Sequence, residues 1–211
     1  MPLFTVPLEV VVTRPPAHIG RFLRAAARRV ERAQLRHRFP AFVGSDFALA
    51  YAALSRLEAS VLVPGDQFCE WGSGLGVVCC LAAMTGFRAF DVEASGRLVR
   101  GARRLAADFA LPAEFARGSY IPPGAGARLL AGREFAWLSR SGRCGRGALG
   151  MSPDEFDLIY AYPWPDEQWL VEELFDAHAR PGALLLTYHG ERGLWLRRKV
   201  GAGRSYRTKA D

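Results

Sequence analysis

The sequence predicts an α/β fold: a doubly wound, mostly parallel sheet with helices on both faces and a helical extension at its N-terminus. Three observations carry this. A strand-like run at 66–71 ends in Gly72-Ser73-Gly74-Leu75-Gly76, which opens an apolar helical stretch. A second short apolar segment then closes on Glu93, 17 residues after Gly76. Further along, apolar β-rich runs at 156–162 and 183–187 alternate with helical periodicity, the pattern of parallel strands joined by crossover helices.

The elements follow in order. In 16–39 the residues Ile19, Phe22, Leu23, Ala26, Ala27, Val30, Ala33 and Leu35 recur near helical spacing with arginines between them, so an amphipathic helix ends before Pro40. Ser45 is the expected N-cap of a second helix reaching about residue 59. The first central strand is expected at 66–71. Its helix, 76–85, is apolar nearly all round, as suits an element buried against a sheet. A strand at 89–92, a helix at 98–109 and a strand at 113–117 come next. Residues 124–152 are irregular, with a candidate helix at 127–138 and a glycine- and arginine-rich loop at 139–150. A strand at 156–162 leads into Pro163-Trp164-Pro165, a helix is expected at 167–179 and a strand at 183–187. The short remainder predicts a hairpin of 194–200 with 204–208 across Gly201-Ala202-Gly203. The division expected is an arm and helices over 1–60 packing on a ligand-binding domain over 61–211.

Composition bounds the function. The 211 residues suit one well-buried domain, and half of them are apolar. The N-terminus lacks a basic leader and no run approaches a membrane span, so a cytoplasmic protein without membrane contact is expected. Of the four cysteines, Cys69, Cys79 and Cys80 lie in apolar patterns and read, with Cys144, as reduced thiols. Adjacent Cys79 and Cys80 make a poor chelate, and no metal site is expected. The net charge of +7 comes from 26 arginines and 2 lysines. Basic runs at 21–38 and 192–209 are either solvated surface, the favoured reading, or a face for an anionic partner such as nucleic acid.

The glycine loop itself points to a nucleoside. Its glycines turn the chain off a strand and bring a helix N-terminus close to a ligand, and Glu93 is placed to accept from a ribose diol. A dinucleotide fingerprint would need its third glycine where Val77 stands, one residue after Gly76. The pattern Glu70-x-Gly72-x-Gly74-x-Gly76 instead resembles motif I of the class I methyltransferases that use S-adenosylmethionine (SAM). That resemblance covers about 42–187. It implies a Rossmann-like, seven-strand-type domain and SAM as cofactor, with Glu70 holding the amino group, Gly72, Ser73, Gly74 and Gly76 passing under the methionine portion, and Glu93 binding the ribose. Just past the third parallel strand, where the family often contacts adenine, stand Ser119 and Tyr120. Residues 42–51 are expected either to line the cofactor pocket or merely to pack.

The resemblance implies SAM-dependent methyl transfer to a nitrogen or oxygen nucleophile. At the strand end where amino-group methyltransferases carry Asn or Asp before Pro-Pro-aromatic, this chain has Tyr162, so that base-methylating arrangement is not expected. The layout is similar to small protein-lysine methyltransferases, whose aromatic rings can hold an ammonium. Tyr160, Tyr162 and Trp164 are the rings available for this, with Tyr162 and Trp164 the expected acceptor-site residues and His189 a candidate general base. Asp91, on the strand face of Glu93, either contacts the nucleoside or binds an arginine. The acceptor is open between a small molecule, a protein lysine and RNA. Rival readings are a nicotinamide oxidoreductase and a non-catalytic SAM-binding module.

Overall fold

The computed structural model describes residues 3–35, 43–121, 149–164 and 167–201. Among them seven strands form one sheet: β1 (Phe4–Thr5), β2 (Gln67–Trp71), β3 (Arg88–Glu93), β4 (Ala113–Arg117), β5 (Leu158–Ala161), β6 (Leu184–Tyr188) and β7 (Leu194–Arg198). The order across the sheet is β1-β7-β6-β5-β2-β3-β4. The five strands from β6 to β4 are parallel, while β7 runs antiparallel to both β6 and β1. Chain order reverses between β2 and β5, so the carboxyl ends of these two strands flank the switch point where doubly wound sheets bind ligands.

The helices are α1 (Ala17–Leu35), α2 (Phe47–Glu58), α3 (Val77–Thr85), α4 (Gly96–Asp108) and α5 (Gln168–His178). Strand alternation divides the core. One face, with Phe68, Ala89, Leu158, Leu184 and Leu186, packs the apolar sides of α1 to α4. The other, with Cys69, Phe90, Ile159 and Leu185, packs α5 through Leu170, Val171, Leu174 and Phe175. Helix α1 buries Ile19, Phe22, Ala26 and Val30, a stripe at the spacing its sequence predicts. Helix α3 buries six consecutive residues from Val77 to Ala82 because α2 covers the side that the sheet does not. Among the described residues no helix is long and apolar enough to cross a membrane, and no group of three or more His, Cys, Asp or Glu could hold a metal ion. Cys69, Cys79 and Cys80 are buried free thiols.

Several expectations are corrected. Asp46, not Ser45, caps α2: its Oδ1 accepts from Ala48 N and Leu49 N, both at 3.0 Å. A carboxylate is the stronger acceptor at a helix N-terminus. Ser45 Oγ instead accepts from Tyr160 Oη at 2.8 Å. Helix α4 begins two residues earlier than predicted, because Ser95 accepts from Leu98 N. Strand β3 runs on to Glu93, and β5 is confined to Leu158–Ala161. Residues 194–198 do not await a C-terminal partner. One edge of β7 pairs with β6, and the other receives β1 at Phe4↔Arg198 and Thr5↔Arg197, so the outer neighbour comes from the N-terminus. The expected partner at 204–208 and the expected helix at 127–138 lie outside the described residues, as do Phe42 and Cys144.

A buried carboxylate locks the far end of the sheet. Asp157, 2% exposed, accepts from Gln67 N at 2.9 Å through Oδ2 and pairs with Arg180 through Oδ1. A Cβ on Gly65 would lie 2.5 Å from Asp157 Oδ2. Asp157→Ala leaves the Gln67 amide without its acceptor and removes the Arg180 partner. It should lower the unfolding free energy by about 2 kcal/mol, read from urea denaturation with unchanged m-value.

Candidate active site

The glycine loop is built by steric exclusion. Gly76 has φ +64°, and a Cβ there would lie 2.5 Å from Phe115 Cε1 and 2.9 Å from Ala102 Cβ. Only glycine lets α3 start this close to β4 and α4. Gly74, at φ +61°, turns its amide toward Glu93. The loop closes through Gly76 N donating to Ser73 O, and Gly72 N continues the ladder onto Val92 O.

Two buried carboxylates hold this loop. Glu70 Oε2 accepts from Cys79 N at 2.8 Å, so a side chain from the strand caps the first turn of the following helix. Glu93 Oε2 accepts from Gly74 N at 2.9 Å and Oε1 from Ser95 N at 2.7 Å, joining the loop to the start of α4. Burial is the main cause that raises both groups above the ordinary carboxylate range. The neighbouring Asp91 adds to the rise at Glu70, and the backbone amides oppose it in each. Each Glu93 oxygen, having accepted one amide, keeps a lone pair for a ligand hydroxyl.

Between them stands Asp91, fully buried. Ser73 Oγ lies beside its carboxyl, but no well-formed hydrogen bond reaches the Ser73 hydroxyl or either carboxyl oxygen. Burial dominates its environment and pushes its pKa well up, Glu93 adding to this, whereas the nearby Ser73 hydroxyl and Arg103 favour the ionised form.

Register aligns these groups in rows. Phe115, Asp91, Glu70, Tyr160 and Leu186 are directly paired across β4, β3, β2, β5 and β6. One pleat closer to the carboxyl ends, the same face presents Glu93, Gly72, Tyr162 and Tyr188. Glu93 and Tyr162 are thus about two strand spacings apart, ~10 Å, with the small Gly72 between them. Tyr162 meets Tyr188 edge to face, ring centroids 4.8 Å apart. Tyr160 and Tyr188 abut the start of α2, through Ser45 and the backbone of Asp46.

The remaining predicted residues are dispersed around this row. Tyr120 stacks on Trp71 at 5.2 Å with planes 6° apart, and its ring lies 3.8 Å from where a Gly72 Cβ would be. Its hydroxyl is pushed up by burial and then by Glu167 and Glu93. Ser119 Oγ accepts from Ile121 N, a local turn bond. Trp164 is half-buried, and its carbonyl accepts from Glu167 N ahead of α5; Pro165 lies outside the described residues. His189 turns to a separate cluster: its ring packs 4.1 Å from Trp195 and Nε2 lies 2.8 Å from Thr187 Oγ1. Burial pulls its pKa below the usual imidazole value, so at neutral pH it is an uncharged base. Sequence reasoning missed Tyr188 and Trp195. Tyr188 was findable, since it ends a parallel strand at the crevice; Trp195 depends on the β6–β7 pairing.

Comparison with known proteins bears on this architecture. No family model and no curated protein matches the chain. Among solved structures, a methyltransferase from Geobacter sulfurreducens superposes with TM-score 0.51 at 16% identity, over 90% of this chain and 93% of that one. The chain has the class I methyltransferase fold. Two other structures with this fold are similar at lower scores. They are an O-methyltransferase from Bacillus cereus in complex with SAH (TM-score 0.48, 17% identity, 84% of this chain and 68% of that one) and an RNA methyltransferase from Salinibacter ruber in complex with S-adenosyl-L-homocysteine (TM-score 0.47, 17% identity, 75% and 95%).

In this fold an unpaired carboxyl beneath the glycine loop has a measurable cost. A carboxyl whose folded-state pKa exceeds the unfolded value of about 3.9 binds its proton more tightly when folded. Its stabilising effect is complete below that value and is lost as pH rises through the folded-state pKa. Asp91→Asn removes this loss. The variant should gain stability over the parent at about pH 8 and much less at about pH 4, measured by urea unfolding; an equal gain at both values would mean that Asp91 is ionised throughout.

Proposed function

We propose that this protein transfers a methyl group from SAM to a nitrogen or oxygen nucleophile. The observation that carries the reading is the placement of Glu93, which grips the glycine loop and the start of α4 while keeping lone pairs for a ribose diol. The site fits a cationic nucleoside on three further counts: the glycine cradle, the unpaired buried oxygens of Ser73 and Asp91, and the concentration of carboxyls at the N-terminus of α3. SAM, when bound, supplies a methyl group already activated by its sulfonium. In this proposal Glu93 holds the ribose, Gly72 to Gly76 and Glu70 border the methionine portion, and Ser119 and Tyr120 border the adenine.

The chain's own task is then to align the nucleophile and keep water out. Tyr162, across Gly72 from Glu93, and Trp164, further past the carboxyl end of β5, form the acceptor side in this reading. Tyr188 adds an aromatic edge that suits a planar ring or an amine. His189, held with Thr187 and Trp195 apart from the tyrosine row, has no proton-transfer role in this reading.

Calorimetric titration with SAM, S-adenosylhomocysteine and NAD tests the cofactor. Both sulfur ligands should bind and NAD should not. Glu93→Ala should weaken binding at least tenfold, about 1.4 kcal/mol, and Glu93→Gln, which keeps one acceptor oxygen, by less. Absence of binding by the folded parent protein defeats the reading. Tyr162→Ala tests the acceptor side: transfer of labelled methyl to cell-extract fractions should fall about tenfold or more while S-adenosylhomocysteine affinity stays within about twofold. A parallel loss of affinity would assign Tyr162 to the cofactor instead.

A further inference from the structure

Two exposed arginine stripes lie on one face of the molecule, and none of the site chemistry above uses them. On α1, Arg21, Arg24, Arg28 and Arg32 are exposed at positions i, i+3, i+7 and i+11, a single line along the helix about 16 Å long. On α4, Arg97, Arg100 and Arg104 repeat the spacing over about 10 Å. Both helices pack on the same side of the sheet. They are joined there by the Arg29–Asp108 ion pair and by Phe22 against Phe109, centroids 5.1 Å apart. The stripes therefore belong to one surface. Its end nearest the glycine loop carries Arg97, in the first turn after Ser95, and the exposed Arg117, whose side chain lies 3.2 Å from where a Gly96 Cβ would be. Ser95 is the residue whose amide bonds Glu93, so the basic surface begins at the rim of the candidate active site.

The charge is predominantly of one sign. Helix α1 holds a single acid, Glu31, and α4 a single acid, Asp108, which Arg29 engages. A merely solvated helix face usually mixes signs, because opposite charges at i+3 and i+4 support it and like charges repel. The exposed positions between the arginines are alanine or other small and polar residues, with no aromatic ring to stack a base. Guanidinium forks match phosphate oxygens in pairs.

We propose that the α1–α4 face binds the phosphate backbone of RNA and delivers the methyl acceptor to the site beside Glu93. The proposal deepens the methyl-transfer reading and rests on it for the chemistry, but not for the docking. RNA is favoured over DNA by the layout: the arginines run in two stripes along separate helices. A stiff B-form duplex would touch such a layout over few phosphates, whereas folded RNA with short flexible segments can follow both stripes.

Fluorescence anisotropy with a labelled RNA stem-loop, a DNA duplex of matching sequence and phosphatidylserine vesicles tests this. Full-length protein should bind the RNA in preference to the other two, with affinity falling steeply as salt rises. Replacing Arg21, Arg24 and Arg28 by alanine should reduce the slope of log K against log salt by about two, as should replacing Arg97, Arg100 and Arg104, from ~0.7 per phosphate contact. Each triple variant should lose at least tenfold in RNA affinity, while a variant lacking the exposed Arg56 and Arg88 stays within about twofold of the parent. Circular dichroism and S-adenosylhomocysteine titration of the same variants establish that they are folded and that the cofactor site is intact. The proposal is overturned by no RNA binding, by triple variants that bind like the parent, by DNA bound as tightly as RNA, or by vesicles bound in place of RNA. Failure of the cofactor titration in the parent protein would defeat the methyl-transfer reading separately.

Discussion

Everything at the carboxyl end of this sheet depends on two buried carboxylates satisfying the backbone amides of one tight loop. The loop from Gly72 to Gly76 must leave β2, reverse and start α3 within five residues, so its amides cannot all find helical or sheet partners. Glu70 reaches the amide of Cys79 from the strand before the loop, and Glu93 reaches that of Gly74 from the adjacent strand. Hydrogen bonds of this kind contribute about 0.5–1.5 kcal/mol each. They offset part of the cost of burying the carboxylates, which burial itself shows by raising the pKa of both groups.

The same constraint positions the candidate chemistry. Because Glu93 also bonds Ser95, the start of α4 is tied to the loop, and the rim arginines Arg97 and Arg117 follow. Because Gly76 admits no side chain, Phe115 and Ala102 close under the loop and bring β4 and α4 into contact with α3. On the opposite side of Gly72 the tyrosine row begins, pinned to α2 by the bond from Tyr160 to Ser45. Asp91 is the discordant member. It sits in the row of Glu70 and Tyr160 without a well-formed hydrogen bond, a cost carried at the place where the fold meets its ligand crevice.

The parts of this architecture legible in the sequence are those governed by local rules. Glycine spacing placed the loop, periodicity placed α1 and α3, and an acid after a short apolar run placed Glu93. Boundaries missed by a few residues where caps compete, as Asp46 and Ser95 illustrate. The edge of the sheet was misread for a different reason. The length of chain after β6 suggested a C-terminal hairpin, but hydrogen-bonding edges are filled by whichever strand reaches them, and Phe4–Thr5 does.

By itself the sequence determined which groups this protein has for holding a nucleoside: the glycines, Glu70 and Glu93 lie within one strand-loop-helix-strand unit, where spacing along the chain dictates proximity. Only the tertiary structure decided what stands beside them. The face on which Tyr160 and Tyr162 lie, the meeting of Tyr162 with Tyr188, and the separation of His189 into a cluster with Thr187 and Trp195 all follow from strand register. So does the joining of the α1 and α4 arginine stripes into one surface, which needs both helices on the same side of the sheet. Register and side are set by burial of whole faces, a property of many distant residues at once, and no local pattern encodes it.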